Sequence, residues 1–203
     1  MYYSSSNKII VEPDLLGLHE AISPTSQTNT TMRNKQRLYI VNFFRIPTPG
    51  PNPDPYHWAL TSGPKSGSMN GMLLYHVRNR MTPTGVQWIF EEPFRNLSNG
   101  PTPSLLALTA VAKITDLARL QRVIQSVPID PNAVWQTFNC KTWVEQALQA
   151  IVLDGGCIGM NVLGNGWETL EQQCEMFANP IRQMRVAGQE LPDPRPLQDL
   201  LKG

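Results

Sequence analysis

The hydrophobic pattern of this chain changes period once, between residues 114 and 116, and that change limits it to folds in which strands and helices are segregated. Before the change, the apolar runs read as strands. "RLYIVNFF" (37–44) is β-branched and aromatic, and "YHWALTS" (56–62), "MLLYHVRN" (72–79) and "VQWIFEE" (86–92) follow. "LLALTAVAKI" (105–114) is mostly apolar and is expected to be central in a sheet. After the change, "DLARLQRVIQSV" (116–127) carries Leu117, Leu120, Ile124 and Val127 at helical spacing and is ended by Pro128. A second helix starts after Asn139, a good N-cap. It places Trp143, Val144, Ala147, Leu148 and Ile151 on one face and stops at Gly155–Gly156. A third covers 167–181 and is expected to close near Pro180. The sum predicts an α+β domain, an antiparallel β-sheet packed against helices.

The flanks differ from this core. Residues 1–35 read as a flexible arm, in which the short amphipathic "DLLGLHEAI" is followed by "SPTSQTNTTMRNK", too polar to bury. The domain itself spans 36–182, and the Pro-rich, charged 183–203 reads as a C-terminal tail over the surface. "PTPGPNPDP" (47–55), with proline at every second position, predicts an extended loop.

Charge and composition exclude several classes. Seventeen basic and sixteen acidic side chains nearly cancel, and no Lys/Arg cluster interleaves with aromatics, so no nucleic-acid partner is expected. No apolar run approaches the ~20 residues of a membrane span. The first residues, "MYYSSSNKII", lack the pattern of a secretory signal, and a cytoplasmic location is the expectation. The three cysteines, 140, 157 and 174, are odd in number and form no CxxC, which argues for free thiols and against a zinc site. A metal set built from His57 and His76 would need the distant His19. "GNG" (164–166) lacks the lysine and hydroxyl of a phosphate loop, and no cofactor is expected.

One constellation carries chemistry. With Asn139 as N-cap, Cys140 opens a helix, where the dipole and unpaired N–H groups favour thiolate. Strand alternation puts His57, Ala59 and Thr61 on one face and Tyr56, Trp58 and Leu60 on the other. If 56–62 and 72–79 form a hairpin centred on Ser66–Gly67, position 57 lies opposite position 76, which is His76. Two neighbouring imidazoles and a helix-start cysteine match base, orienter and nucleophile. Each alone has a plainer reading: most cysteines are small hydrophobes, and most strand histidines are structural. Cys157, after a helix stop, reads as a second exposed thiol, Cys174 as packing, and Glu91–Glu92 as a solvated strand end, the alternative of a paired-carboxylate acid/base site there having no second partner in place.

"YHWAL", then "YHV" one strand on, then "FNCKTWVEQAL" resembles the circularly permuted NlpC/P60 proteins, papain-like in fold, including the lecithin–retinol acyltransferase group. The chain is also similar to a set of small fungal proteins with the same HWAL…NCxxWV arrangement. The resemblance covers about residues 37–153. It implies Cys140 as nucleophile, His57 as general base, His76 as the residue orienting His57, and the Cys140 N–H as one oxyanion donor.

The expected function is therefore a cysteine-dependent enzyme acting on an amide, ester or thioester carbonyl of a small molecule or peptide, by hydrolysis or acyl transfer. Two alternatives stand beside it. One is a non-enzymatic binding module on the same fold. The other is a histidine acid/base enzyme in which Cys140 is a spectator.

Overall fold

The longest strands of this protein are largely apolar and are buried on both faces. The computed structural model describes residues 36–46, 54–83, 85–91, 95–97, 102–134 and 136–202. The arm at 1–35, His19 within it, and most of the proline-alternating loop lie outside the described residues. In β1 (Gln36–Phe44), Leu38 and Ile40 face one way while Tyr39, Val41 and Phe43 face the other. In β2 (Tyr56–Pro64) the alternation follows the sequence reading: Tyr56, Trp58 and Leu60 belong to one core, Ala59 to the other.

After β2 come β3 (Leu73–Tyr75), β4 (Val77–Thr82), β5 (Gly85–Phe90), β6 (Arg95–Asn96) and β7 (Leu105–Lys113). Three helices follow: α1 (Leu117–Gln125), α2 (Cys140–Asp154) and α3 (Trp167–Val186). The chain then adds β8 (Leu197–Asp199) and a single 3₁₀ turn, Leu200–Lys202. The main sheet runs β6-β3-β2-β1-β7-β8; every pairing in it is antiparallel except β7–β8. The buried faces of all three helices join the Leu38/Trp58 core, so the helices lie on one side of the sheet. The fold is α+β, as the change of period requires.

Three local expectations are corrected. The run 72–79 is not one strand. It breaks at His76 into β3, in the main sheet, and β4, which pairs with β5 in a separate two-stranded sheet. The β2–β3 register is Leu60↔Tyr75, Thr61↔Leu74, Ser62↔Leu73, two residues away from the hairpin drawn through Ser66–Gly67. Packing at the turn explains the offset. Met72 is fully buried against Gly63, where an added Cβ would run into the Met72 side chain, and the Tyr75 hydroxyl lies 2.6 Å from Ser62 Oγ.

α3 also runs past its expected end, through Pro180 to Val186. Proline at that point forfeits a hydrogen bond to the Met176 carbonyl. Pro180 and Met176 are both on the exposed side of the helix, while Ile181 and Met184 beyond the proline pack into the core. Burial of the last turn outweighs the proline.

The segment read as a C-terminal tail is stitched to the sheet. β8 pairs in parallel with Leu108–Ala110, and Arg195 Nε donates to the Leu105 carbonyl at 2.8 Å.

Candidate active site

α2 begins at Cys140 because Asn139 holds it there. Its Oδ1 accepts from the N–H groups of Lys141 (2.9 Å) and Thr142 (3.1 Å), and Thr142 Oγ1 accepts the Asn139 N–H at 2.8 Å, a complete capping box. The Cys140 N–H stays outside this cap. Lys141 points away from the site, its Nζ 2.7 Å from Glu171 of α3 and 3.4 Å from Asp54. Asp54 also accepts the Trp58 indole N–H (2.9 Å) and the Tyr56 N–H (2.9 Å), so one ion-pair cluster ties the starts of β2 and α2 together.

Cys140 turns the other way, into the sheet. The β2–β3 ladder ends at Leu60–Tyr75, and beyond that end the Trp58 N–H donates to Cys140 Sγ at 3.5 Å. The sulfur takes a position that a neighbouring strand's carbonyl would hold, at the level of the sheet and beside the residue that follows His57.

The two histidines meet although they are not paired in register. An even register offset keeps every side chain on its face, so His76 becomes a diagonal neighbour of His57. His57 Nε2 lies 2.8 Å from His76 Nδ1, the rings nearly perpendicular at 78°. On its far side His76 Nε2 is hydrogen-bonded to Glu91 Oε2, and the Glu91 N–H donates to the His76 carbonyl at 3.2 Å.

Glu91, at a strand end that reads from the sequence as solvated and without a partner, joins the site through His76. The signal was a second hairpin: β4 and β5 pair Val77 with Phe90, which extends to His76 beside Glu91. The site thus draws Cys140 from α2, His57 from β2, His76 from the β3–β4 break and Glu91 from the end of β5. Cys140 and His57 come to neighbouring positions without a hydrogen bond between them, and among the described residues His57 Nδ1 has no hydrogen-bond partner.

Electrostatics set the resting state. Burial pushes the Cys140 thiol up to about 11, against the Trp58 N–H, which favours thiolate. Burial, followed by His76 and Arg45, pulls His57 down to about 3. The resting pair is a neutral thiol beside a neutral imidazole. This corrects the expectation of a helix-stabilised thiolate: Cys140 is 1% exposed, and desolvation outweighs the helix terminus.

A cavity of about 380 Å³ opens on the histidines, walled by Phe43, Phe44, Leu74 and Pro103, with Thr102 and Ser104 adding hydroxyls. His57 and His76 line it and Cys140 does not. A larger cavity of about 500 Å³, between the start of α3 and Lys202, holds no histidine or cysteine. Cys157 is fully buried, not exposed as expected, and Cys174 is buried in α3 as its mid-helix position suggested. Among the described residues no His/Cys/Asp/Glu group is arranged to hold a metal ion. Nor is any described helix long and apolar enough to cross a membrane.

Fold and site together define an α+β domain with a helix-start cysteine docked on a strand that carries one of two linked histidines. The chain belongs to a family of unknown function, DUF6914, whose model matches residues 35–203. No curated protein and no solved structure matches it.

Proposed function

We propose that the protein is a cysteine-dependent enzyme that transfers the acyl group of an amide, ester or thioester, to water or to an amine. The observation that carries this reading is the juxtaposition on β2: Cys140 Sγ docked on the Trp58 N–H, and His57 one residue earlier, oriented by His76 at 2.8 Å. The order histidine, histidine, cysteine and the strand, strand, helix placement are those of the permuted NlpC/P60 pattern.

In this reaction His57 Nδ1 takes the Cys140 proton as Sγ bonds to the substrate carbonyl carbon. The tetrahedral oxyanion is met by the uncapped Cys140 N–H at the start of α2. His57 then returns the proton to the leaving group, the C–N, C–O or C–S bond breaks, and an acyl-Cys140 thioester remains for water or an amine to attack. Because both groups rest neutral, the proton moves during attack and not before it.

The test is acylation by an activated ester followed by intact and peptide mass, in wild type, Cys140→Ala and His57→Ala. A single acyl adduct on Cys140, formed at least about 100-fold more slowly without His57, is the expected result. An adduct insensitive to His57 would remove the Cys–His couple.

A second reading is favoured by the cavity, which His57 and His76 line and Cys140 does not. In it the histidines act alone as acid and base on a substrate in that cavity, and Cys140 only packs. Turnover that survives Cys140→Ala would select it.

A further inference from the structure

The β4–β5 hairpin stands apart from the main sheet, yet its base delivers two groups to the site. His76 enters at the start of β4, and the pairing of Val77 with Phe90 carries Glu91 alongside it. Glu91 is held from three directions. Its backbone N–H donates to the His76 carbonyl (3.2 Å), its Oε2 accepts from His76 Nε2, and Arg78 Nε of β4 lies 3.7 Å from the same oxygen. We propose that Glu91 is a positioning residue: through His76 it decides which nitrogen of His57 carries the proton. This rests on the reading of His57 as the base.

The argument is a count of protons along a chain of hydrogen bonds. A carboxylate only accepts, so His76 must present an N–H at Nε2. A neutral His76 then offers a lone pair at Nδ1, and His57 Nε2, 2.8 Å away, must supply the N–H between them. His57 is left with an unprotonated Nδ1, which among the described residues makes no hydrogen bond and is open to receive a proton. Replace the acceptor at position 91 with a group that also donates, and the whole chain can reverse. His76 would donate from Nδ1, and His57 would carry its proton on the nitrogen needed as the base. The same reversal follows from protonating His76. Among the interactions of the described residues, those that bear on that step come from Glu91 and Arg78 of the hairpin and from His57 of β2, which in turn feels Arg45 beyond the end of β1.

The experiment is long-range ¹H–¹⁵N NMR of the imidazole rings in wild type and Glu91→Gln, both in a Cys140→Ala background so that no acylation intervenes. The chemical shifts distinguish protonated from unprotonated ring nitrogens directly. Wild type is expected to show His57 protonated at Nε2 and bare at Nδ1. Glu91→Gln, which keeps the shape of the side chain, is expected to move proton density onto Nδ1. A wild-type His57 protonated at Nδ1, or a tautomer unchanged by Glu91→Gln, overturns the proposal.

With Cys140 present, Glu91→Gln is expected to slow acylation about 10- to 100-fold, as loss of an orienting partner does elsewhere. Failure of the Cys–His reading would appear separately, as Cys140 acylation indifferent to His57→Ala, while the ring shifts still report on Glu91.

Discussion

Loss of hydration holds both His57 and Cys140 uncharged at neutral pH, and for the half-buried His57 the neighbouring His76 and Arg45 add to the effect. The consequence for stability runs in opposite directions at the two ends of the pH scale. Below the unfolded histidine value, about 6.5, the unfolded chain takes up a proton that the folded His57 refuses until about pH 3. The unfolded state then binds more protons, so stability falls as pH drops through that interval. Above the unfolded cysteine value, about 9, the unfolded chain releases a proton that folded Cys140 keeps until about pH 11, and stability falls as pH rises. A plateau of melting temperature between about pH 6.5 and 9 is expected, with the acid shoulder reduced in His57→Ala and the alkaline one in Cys140→Ala. Calorimetric or CD melts across pH check this, and unchanged shoulders in both variants would sink it. None of this was legible in the sequence. A helix-start cysteine reads as acidic by its local dipole, and only the 1% exposure of the folded residue shows that burial wins.

At the scale of elements, the start of α2 is where structure and chemistry share one residue. Asn139 satisfies two helix N–H groups, and Thr142 returns the favour to Asn139. Asn139→Ala should cost about 1 kcal/mol of stability, the ordinary worth of such a cap. It should also lower acylation at Cys140 beyond what that loss explains, because the frayed first turn carries the proposed nucleophile. A denaturant melt beside an acylation rate separates the two effects. An unaltered rate in a destabilised variant would mean that the cap does not position Cys140. Asn139, Cys140 and the apolar face from Trp143 to Ile151 were all readable in advance, since capping and helical period act over a few residues. The run 72–79 was not. Its local pattern is continuous, and the division at His76 comes from the two partners that claim its halves, β2 on one side and β5 on the other.

For the molecule as a whole, the closing strand is the feature that composition concealed. β8 covers the outer edge of β7 for three residues, Leu108 to Ala110, and Arg195 adds a hydrogen bond to the Leu105 carbonyl. Removing residues 190–203 should leave β7, an apolar strand, with an open edge. Lower thermal stability and a concentration-dependent larger species on size-exclusion chromatography are expected; a monomer that melts as wild type does would show β8 to be dispensable. By itself the sequence determined the strands that became β1, β2 and β7, the starts of the three helices, which face of β2 carries His57, and that Cys140 opens a helix. These follow from period, capping and turn chemistry among near neighbours in the chain. Only the tertiary structure decided that β2 and β3 pair two residues out of the simplest register, that Glu91 stands behind His76, and that the thiol rests protonated. Those outcomes depend on burial and on contacts between distant segments. Met72 packed on Gly63, the second hairpin turning back on His76, and water excluded from Cys140 each involve free energies that no local spacing encodes.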